Sequence, residues 1–305
     1  MTVTVNPAID LTVYTDSLQI GEINAVESMR KDSGGKGINV SKVLKNLDVL
    51  TVATGFLAGE AGCWIRDELK NKSISHDFLE TSGETRTNVK IIASDVETQL
   101  NGSGPELTET DINRLIEKLN DLLQDGDGLI LAGSLPKQTD PGMYRQIIQS
   151  LKNQVFVAVD TSGAALAETI EARPHFLKPN EEELNQLFDT ALETETEIID
   201  AAYKLREKGV EIVLISRGEK GSIMVSAAGT CKAIPPVITP VSTIGAGDST
   251  VAGFVSKYLQ TKDLIRSLRF ANACGVATTL KPGSQVCSRI EVENMLDQIQ
   301  LDCER

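Results

Sequence analysis

Almost continuous apolar runs alternate with helical patterns through the middle of the chain, and this alternation constrains the fold more than any other feature. The runs are "DGLILAGSLP" (127–136), "VFVAVD" (155–160) and "EIVLISRG" (211–218). The spacing of apolar residues between and around them predicts helices at 140–151, 163–172, 181–188 and 195–208. Strands that are apolar on both faces need cover on both sides, so the pattern predicts a mainly parallel central sheet with helices on both faces.

The first hundred residues contain a second pattern. Apolar and polar residues alternate in two segments, at about 11–30 and 87–100, as they do in half-exposed strands. These segments do not suit a core that is buried on both faces, and they predict a small accessory β-sheet, a lid. No repeat, low-complexity tract or linker divides the chain, so we expect one α/β domain over 1–305.

The composition excludes several classes of function. A net charge of −13 argues against nucleic acid and anionic membranes as partners. The five cysteines are scattered without a CxxC motif, which predicts reduced thiols in a cytoplasmic protein rather than a disulfide framework or a zinc site. Two histidines are too few for a His-rich metal centre. No run approaches the roughly 18 apolar residues of a membrane span, and the start "MTVTVNPAIDLTV" lacks the basic region of a signal peptide.

The sequence "GAGD" (245–248) stands directly before a long apolar helical segment. Backbone N–H groups at a glycine-rich helix start form a binding site for anions. An aspartate beside an anion would repel it, so Asp248 is better suited to take the proton of a hydroxyl that attacks phosphorus. The alternative is an ordinary helix cap after a glycine turn. The Walker A, GxGxxG and protein-kinase motifs are absent.

Three further stretches carry reactive or binding side chains, and each also has a structural explanation. "GGKGIN" (34–39) lets a ligand approach the backbone closely, or it is a surface turn with a solvated lysine. "TRTNVK" (85–90) places two cations and an amide on one strand face, which suits a phosphate, or it is the polar face of an exposed strand. "KPNEEE" (178–183) places Asn180 and Glu183 one helical turn apart, near a hydrated Mg²⁺ or as a capped helix start.

The order of these motifs resembles the ribokinase-like (PfkB) family of sugar kinases, over almost the whole chain. The motifs that carry the resemblance are "NPAID", "GGKGIN", "TRTNVK", "GSLP", "NEEE", "SRGEKGS", "GAGD" and "ANACGVATT". "GAGD" is the most specific of them, and the first three together are similar to the phosphosugar branch. The resemblance implies the ribokinase-like α/β fold with a β-sheet lid, and ATP-dependent phosphorylation of fructose 1-phosphate to fructose 1,6-bisphosphate.

The resemblance implies roles for residues on the nucleotide side. Asp248 is expected to be the catalytic base, and Gly245, Ala246 and Gly247 are expected to form the anion hole. The residues implied for ATP are Lys178, Asn180, Glu183, Ser216, Gly218, Gly221, Asn272 and Gly275.

On the sugar side, Asp10, Gly35 and Asn39 are expected to hold hydroxyl groups, while the cations hold the phosphate that the substrate already carries. The lid is expected to pair two subunits, so the resemblance implies a homodimer. The residues implied for the phosphosugar are Asp10, Gly35, Lys36, Asn39, Arg86, Asn88, Lys90 and Ser134.

The implied cofactor is Mg²⁺ with ATP as co-substrate, held through water by Asn180 and Glu183. A monovalent cation is left open, because Ser242 stands where the family commonly has an aspartate. The loop "GSLPKQT" also departs from the usual "GSLPPG". Tagatose 6-phosphate and fructose 6-phosphate remain alternative substrates, and a non-catalytic sugar-phosphate sensor remains an alternative of another class. An unphosphorylated sugar or a nucleoside would not need Arg86 and Lys90 on one strand face.

Overall fold

A computed structural model describes residues 1–93 and 96–304, and within them the strands form two sheets. The strands are β1 (Thr2–Thr4), β2 (Ala8–Thr15), β3 (Ser28–Gly34), β4 (Ala53–Leu57), β5 (Leu79–Glu80), β6 (Arg86–Ala93), β7 (Val96–Asn101), β8 (Gly128–Ala132), β9 (Phe156–Asp160), β10 (Phe176–Leu177), β11 (Ile212–Ser216), β12 (Ser222–Ser226), β13 (Gly229–Ile234) and β14 (Gln300–Glu304). The large sheet has the order β14-β13-β12-β11-β10-β9-β8-β1-β4-β5, and the small one has the order β3-β2-β6-β7.

Strands β11 through β5 of the large sheet are parallel, and β12, β13 and β14 extend it antiparallel at one edge. Helices connect the parallel strands, because a parallel neighbour requires a crossover. The helices are α1 (Lys36–Asn46), α2 (Gly59–Asn71), α3 (Glu109–Leu122), α4 (Met143–Gln149), α5 (Gly163–Ile170), α6 (Glu181–Phe188), α7 (Glu195–Glu207), α8 (Ala246–Thr261), α9 (Leu264–Thr279) and α10 (Arg289–Leu296).

The apolar run of β8 shows why both faces of the sheet are covered. Leu129 and Leu131 belong to one buried cluster, while Ile130 and Ala132 belong to another. Neighbouring residues of a strand point to opposite faces, so the two clusters are the cores on the two sides of the sheet. The predicted fold class, a mainly parallel sheet with helices on both faces and a small second sheet, is therefore confirmed.

The small sheet contains the two segments that were predicted as a lid. β2 pairs with β3 antiparallel and with β6 parallel, and β6 pairs with β7. Within the predicted segment 11–30, the prediction is wrong for residues 16–27: they form a connection with a turn at residues 20 and 21, where Asn24 bonds to the backbone of Gln19, and β3 begins only at Ser28. The strand instead runs on to Gly34, because it pairs with β2 down to Ala8. Residues 94 and 95 of the predicted segment 87–100 lie outside the described residues.

The register gives the lid two different faces. Asp10 stands opposite Asp32 and Asn88, so these polar side chains share one face. The other face is apolar and is half-buried or exposed along much of its area. Its members are Leu11, Val13, Met29, Val89, Ile91 and Leu100.

Two features of the chain differ from the sequence analysis. The short strand β5 and the C-terminal strand β14 were not predicted, since each is short and polar on its exposed positions. The expectation of reduced thiols is wrong for Cys231 and Cys303, which stand opposite each other on β13 and β14 and form a disulfide. Among the described residues, no helix has the length and apolar character needed to cross a bilayer.

Candidate active site

The candidate site lies at the carboxyl edge of the large sheet, where adjacent parallel strands end in polar residues. Asp160 is the last residue of β9, Lys178 directly follows β10, and Ser216 is the last residue of β11. Ser134, two residues beyond β8, is exposed at the same edge. Open α/β sheets bind ligands at this edge, so the topology gathers residues that are far apart in the sequence.

Helix α8 begins at this edge with the residues of the "GAGD" motif. Gly245 precedes the helix with a φ of 77°, which glycine adopts without strain, and Ala246 and Gly247 begin the first turn. A Cβ placed on Gly247 would lie 3.5 Å from Nζ of Lys178. The unpaired N–H groups of the first turn and this ammonium group together suit a phosphoryl group.

Asp248 is the third residue of α8 and is 7% exposed. Its Oδ2 accepts a 2.8 Å hydrogen bond from Nδ2 of Asn39 in α1. Burial and the charge of Asp160 raise the pKa of Asp248 to about 6, against the opposing effects of Lys36 and Asn39. At neutral pH the carboxyl group is ionised yet close to its pKa, as a general base requires. The N-cap position belongs to Gly245, so Asp248 is not the capping residue.

Two lysines and a carboxylate form a charge cluster beside Asp248. Nζ of Lys36 lies 3.0 Å, and Nζ of Lys178 lies 3.4 Å, from Oδ1 of Asp160. Burial opposes the charge of Asp160, but Lys178 and Lys36 hold its pKa below the usual range. Burial also opposes the charge of Lys36, but the carboxylates of Asp160, Asp248 and Glu183 hold its pKa above the usual range. Asp160 and Lys36 are therefore both charged at neutral pH.

The polar face of the lid begins next to this cluster. Oδ1 of Asp10 on β2 accepts a 2.9 Å hydrogen bond from Nδ2 of Asn88 on β6. Burial raises the pKa of Asp10, and the bond from Asn88 partly offsets this effect. A Cβ on Gly34 would lie 2.0 Å from Oδ2 of Asp10, and Gly35 has a φ of 115°. Glycine is thus required at position 35 by its backbone conformation, while a side chain at position 34 would displace the carboxyl group of Asp10.

The three cations implied for the substrate's phosphate lie in two places. Lys36 pairs with Asp160 at the edge of the large sheet, while Arg86 and Lys90 lie on the lid strand β6. Lys90 forms a 2.8 Å ion pair with Glu97 of β7. Lys36 therefore lies on a different element from Arg86 and Lys90, with which the sequence analysis grouped it.

Two polar atoms on the lid are buried without a partner. Nη1 of Arg86 donates to the carbonyl oxygen of Gly102 at 3.2 Å. Nε of Arg86 and Oδ1 of Asn88 have no hydrogen-bond partner in the part of the chain that is described. An unpaired buried polar atom is costly, so both atoms are suited to bind a polar ligand on this face.

A cavity of about 830 Å³ opens against the N-terminus of α8, where Ala246 and Gly247 line it. Its size is in the range of small-molecule sites. The other residues implied for ATP, Lys178, Asn180 and Glu183, are outside its lining. The residues implied for ATP that line the cavity are Ser216, Gly218, Gly221, Asn272 and Gly275.

Asn272 and Gly275 also serve the packing of α9. Nδ2 of Asn272 donates to Oγ of Ser222 at 2.8 Å and to the carbonyl oxygen of Leu268 at 2.9 Å. A Cβ on Gly275 would lie 2.6 Å from Oγ1 of Thr250, so glycine allows α9 to approach α8 closely. Sequence alone did not reveal these structural roles.

Asn180 and Glu183 form a reciprocal cap at the start of α6. Glu183 N donates to Oδ1 of Asn180 at 2.7 Å, and Asn180 N donates to Oε2 of Glu183 at 2.9 Å. The charge of Glu183 also acts on Lys36, so its carboxylate is near the charge cluster. Residues 1–93 and 96–304 contain no group of three His, Cys, Asp or Glu side chains that suits a metal ion. A divalent ion here would need phosphate and water ligands, which Mg²⁺ prefers.

Two loops carry the departures from the family pattern. Oγ of Ser242 donates to the carbonyl oxygen of Gly283 at 2.9 Å and accepts from Ile244 N at 3.3 Å. In "GSLPKQT", Gln138 has a φ of 75°, and Thr139 N donates to the carbonyl oxygen of Pro136 at 3.2 Å. Both loops are therefore ordered by local turns.

Sequence reasoning missed three residues near the site. Asp160 ends the apolar run "VFVAVD", and the only signal for it was its position at a strand's carboxyl end. Lys42 lies one turn beyond Asn39 on α1, on the same helix face. Arg30 of β3 reaches the turn after α9, where a Cβ on Gly283 would lie 1.8 Å from its Nη2, and no motif marks it.

A buried carboxylate at a glycine-rich helix start, a pair of lysines and an adjoining cavity define the class of small-molecule phosphotransferases. The profile of the "pfkB family carbohydrate kinase" matches residues 3–291, and the chain belongs to this family. The predicted family is thus confirmed.

Among curated relatives, the 1-phosphofructokinase of Borreliella burgdorferi is 37% identical over 302 residues, covering 99% of this chain and 97% of the relative. The 1-phosphofructokinase of Bacillus subtilis is 36% identical over 278 residues, covering 91% of each.

Solved structures that resemble this chain are also sugar-phosphate kinases. The structure of phosphofructokinase-2 from Escherichia coli in complex with potassium has a TM-score of 0.92 and 26% identity, covering 97% of each chain. The same enzyme in complex with fructose-6-phosphate has a TM-score of 0.89 and 25% identity, again covering 97% of each chain. Membership of the family makes this chain a phosphotransferase of carbohydrates and implies ATP with a divalent metal ion.

Proposed function

We propose that this protein transfers the γ-phosphoryl group of ATP to the 6-hydroxyl of fructose 1-phosphate, giving fructose 1,6-bisphosphate and ADP. The observation that carries the proposal is the buried Asp248 at the start of α8, directly after Ala246 and Gly247, which line the 830 Å³ cavity. The relatives named 1-phosphofructokinase, at 36% and 37% identity with at least 91% coverage, support this choice of substrate.

The residues of the site divide the chemistry among them. Asp248 takes the proton of the 6-hydroxyl while the hydroxyl oxygen bonds to the γ-phosphorus, and the bond to the oxygen of the leaving ADP breaks. The N–H groups of Ala246 and Gly247 hold the charge of the transferring group, as an anion hole does. We assign Lys36 to the same group, together with Lys178, because Asp160 holds both ammonium groups beside α8.

Mg²⁺ belongs to this proposal as the ion that accompanies ATP. When bound, it neutralises charge on the β- and γ-phosphates. Asn180 and Glu183 are suited to act on it through water, since the cap of α6 uses only Oε2 of Glu183 and one of the two lone pairs on Oδ1 of Asn180. A monovalent-cation site is not part of the proposal, because the hydroxyl of Ser242 is engaged by Gly283 and Ile244.

We assign the substrate's own phosphate to Arg86 and Lys90 on the lid. Arg86, with an unpaired buried Nε, offers a directed donor, and Lys90 offers a point charge four residues farther along the same face. The sugar hydroxyls then face Asp10, Asn39 and Asn88. An unphosphorylated sugar would leave the donor of Arg86 unsatisfied.

The test is ADP release with Mg·ATP against fructose 1-phosphate, fructose 6-phosphate and tagatose 6-phosphate, measured side by side. We expect kcat/KM to be highest for fructose 1-phosphate. A higher kcat/KM for either 6-phosphate would overturn the substrate assignment while keeping the kinase. No turnover of any of the three, with Asp248→Asn indistinguishable from the unchanged protein, would overturn the proposed function.

We also propose that the chain forms a homodimer through the apolar face of the lid, and that the residues 1–305 act as one domain. Val13 and Ile91 are neighbours at the centre of this face, which nothing in the described part of the chain fully covers. Sedimentation velocity of Val13→Lys should show monomers. Leu50→Lys is the matched control, since Leu50 is 101% exposed and lies outside the lid.

ATP and a sugar phosphate as substrates support the proposed cytoplasmic location.

A further inference from the structure

Lys42 is a buried lysine next to the catalytic centre, and the proposed chemistry does not use it. It lies on α1 and is 7% exposed. Its Nζ donates to the carbonyl oxygen of Ser33, the second-last residue of β3, and to Oδ1 of Asn39 at 3.3 Å. No ion pair of Lys42 is found in residues 1–93 and 96–304, although burial is costly for an ammonium group. Its position therefore requires an explanation other than a salt bridge.

Two hydrogen bonds connect Lys42 to Asp248: Lys42 donates to the Asn39 amide, and the amide donates to Asp248. An ammonium group only donates, so it can face the oxygen end of the Asn39 amide and not the nitrogen end. With Oδ1 held in this way, Nδ2 of Asn39 is turned toward Oδ2 of Asp248, to which it donates at 2.8 Å. The reverse orientation would place the amide oxygen against the carboxylate and the amide N–H groups against the ammonium group.

We propose that Lys42 is a positioning residue for the phosphoryl transfer, which fixes the Asn39 amide so that its Nδ2–H group points at the base Asp248. The proposal rests on the proposed function, in which Asp248 takes the proton of the sugar hydroxyl. A hydrogen bond donated to the ionised carboxyl favours the form that acts as a base. Without Lys42, the amide is free to turn, and Asp248 loses this stabilisation.

Other charged groups surround both Lys42 and Asp248. Lys42 is surrounded by Asp10 of β2, Asp32 of β3, and Glu68 and Lys72 of α2, and burial lowers the pKa of Lys42 to about 8. Asp248 is surrounded by Asp160 of β9, Lys36 of α1 and Lys178 after β10. Asn39 bonds to both groups, so we assign the effect of Lys42 on Asp248 to the Asn39 amide.

The experiment is the pH profile of kcat/KM for Lys42→Met, a side chain of similar length without a donor, because kcat/KM reports the pKa of the free enzyme. Loss of a hydrogen bond to a charged group raises the pKa of a carboxyl by about one unit. We expect the acid limb to move up by about one unit, so that kcat/KM at pH 6 falls about fivefold while kcat/KM above pH 8 changes little. Equal loss of kcat/KM at every pH would overturn the proposal, since that is the result of a purely structural role.

Three further variants isolate the effect. Lys42→Arg retains a group that only donates, and the acid limb should return toward that of the unchanged protein. In the Asn39→Ala background, Lys42→Met should move the acid limb no further, whereas an additional shift of the same size would overturn the proposal. Ser41→Ala is the matched control on α1, because Ser41 is fully buried and bonds to Thr2 instead.

If Lys42→Met does not fold, the unchanged protein still tests the contact. With asparagine selectively labelled with ¹⁵N, the Asn39 amide signal should respond to one group that titrates near pH 6 and to another near pH 8. The absence of any response of the Asn39 amide to the deprotonation of Lys42 would overturn the proposal. This measurement needs no substrate, so its outcome is separate from that of the turnover assay. Failure of turnover alone would count against the proposed function.

Discussion

Asp160→Asn is the change that most directly tests the charge cluster. The substitution keeps the shape of the side chain and removes the carboxylate that faces both Lys36 and Lys178. The side chain of Lys178 is 5% exposed, so water cannot replace the lost partner there. Breaking one side of a buried ion pair costs about 3–5 kcal/mol. The side chain of Lys36 is 37% exposed, so hydration compensates on that side, and we expect a loss near the lower limit, about 3 kcal/mol.

The assay is the free energy of unfolding in urea, with Thr161→Val as the matched control. Thr161 is the next residue, is equally buried, and donates a neutral hydrogen bond to the carbonyl oxygen of Gly133 at 2.9 Å. Losing that bond costs about 1 kcal/mol. A nucleotide should also stabilise Asp160→Asn more than the unchanged protein, because phosphates replace the missing counter-charge of the lysines. A loss no larger than that of the control, with no added effect of nucleotide, would refute the reasoning.

Four other changes or conditions test the site and the packing of the helices beside it. Asp248→Asn should leave binding of both substrates nearly intact and lower kcat by about 10²–10⁴ in a steady-state assay, and a near-normal kcat would remove the residue from the chemistry. For the unchanged protein, kcat/KM should fall about tenfold per unit below pH 6, since the base must be ionised and burial raises its pKa to about 6. Arg86→Ala should raise KM for the phosphosugar far more than KM for ATP, whereas Lys31→Ala, on the opposite lid face over Trp64, should change neither. Gly253→Ala should lower the thermal midpoint, because a Cβ there would lie 2.7 Å from Sγ of Cys274, a clash of about 1–3 kcal/mol that exceeds the gain in helix propensity.

The large sheet could be predicted because its strands carry their own signal. β8, β9 and β11 are buried on both faces, so their sequences are apolar throughout and unlike any exposed segment. β14 has no such signal, since its residues are mostly exposed and its place depends on pairing with β13. The start of β3 could not be predicted for the same reason: its pairing with β2, and not the alternation of residues within the segment 11–30, determines where the strand lies.

The residues of the site likewise fall into those that a local motif marks and those that only the fold brings together. Asp248, Gly245 and Lys178 lie in short motifs whose local chemistry suggests a phosphate site, and the structure brings them to one edge of the sheet. Asp160 and Lys42 lie in no motif, and their relevance comes from distances to residues more than a hundred positions away or to a neighbour's amide. Such proximity follows from the topology of parallel strands, which periodicity alone does not specify.

The charge cluster also bears on how a chain with a net charge of −13 binds two anions. The ammonium groups of Lys36 and Lys178 are balanced by the carboxylates of Asp160 and Asp248, so the centre of the site is close to neutral before any ligand arrives. A neutral centre keeps the lysines charged and in place, but it gives little net attraction for free ATP. The affinity for the nucleotide must then come from the N–H groups at the start of α8 and from a divalent ion that arrives with the phosphates. On the lid, Lys90 is paired with Glu97, whereas Nε of Arg86 has no hydrogen-bond partner among the described residues and is left to attract the sugar phosphate.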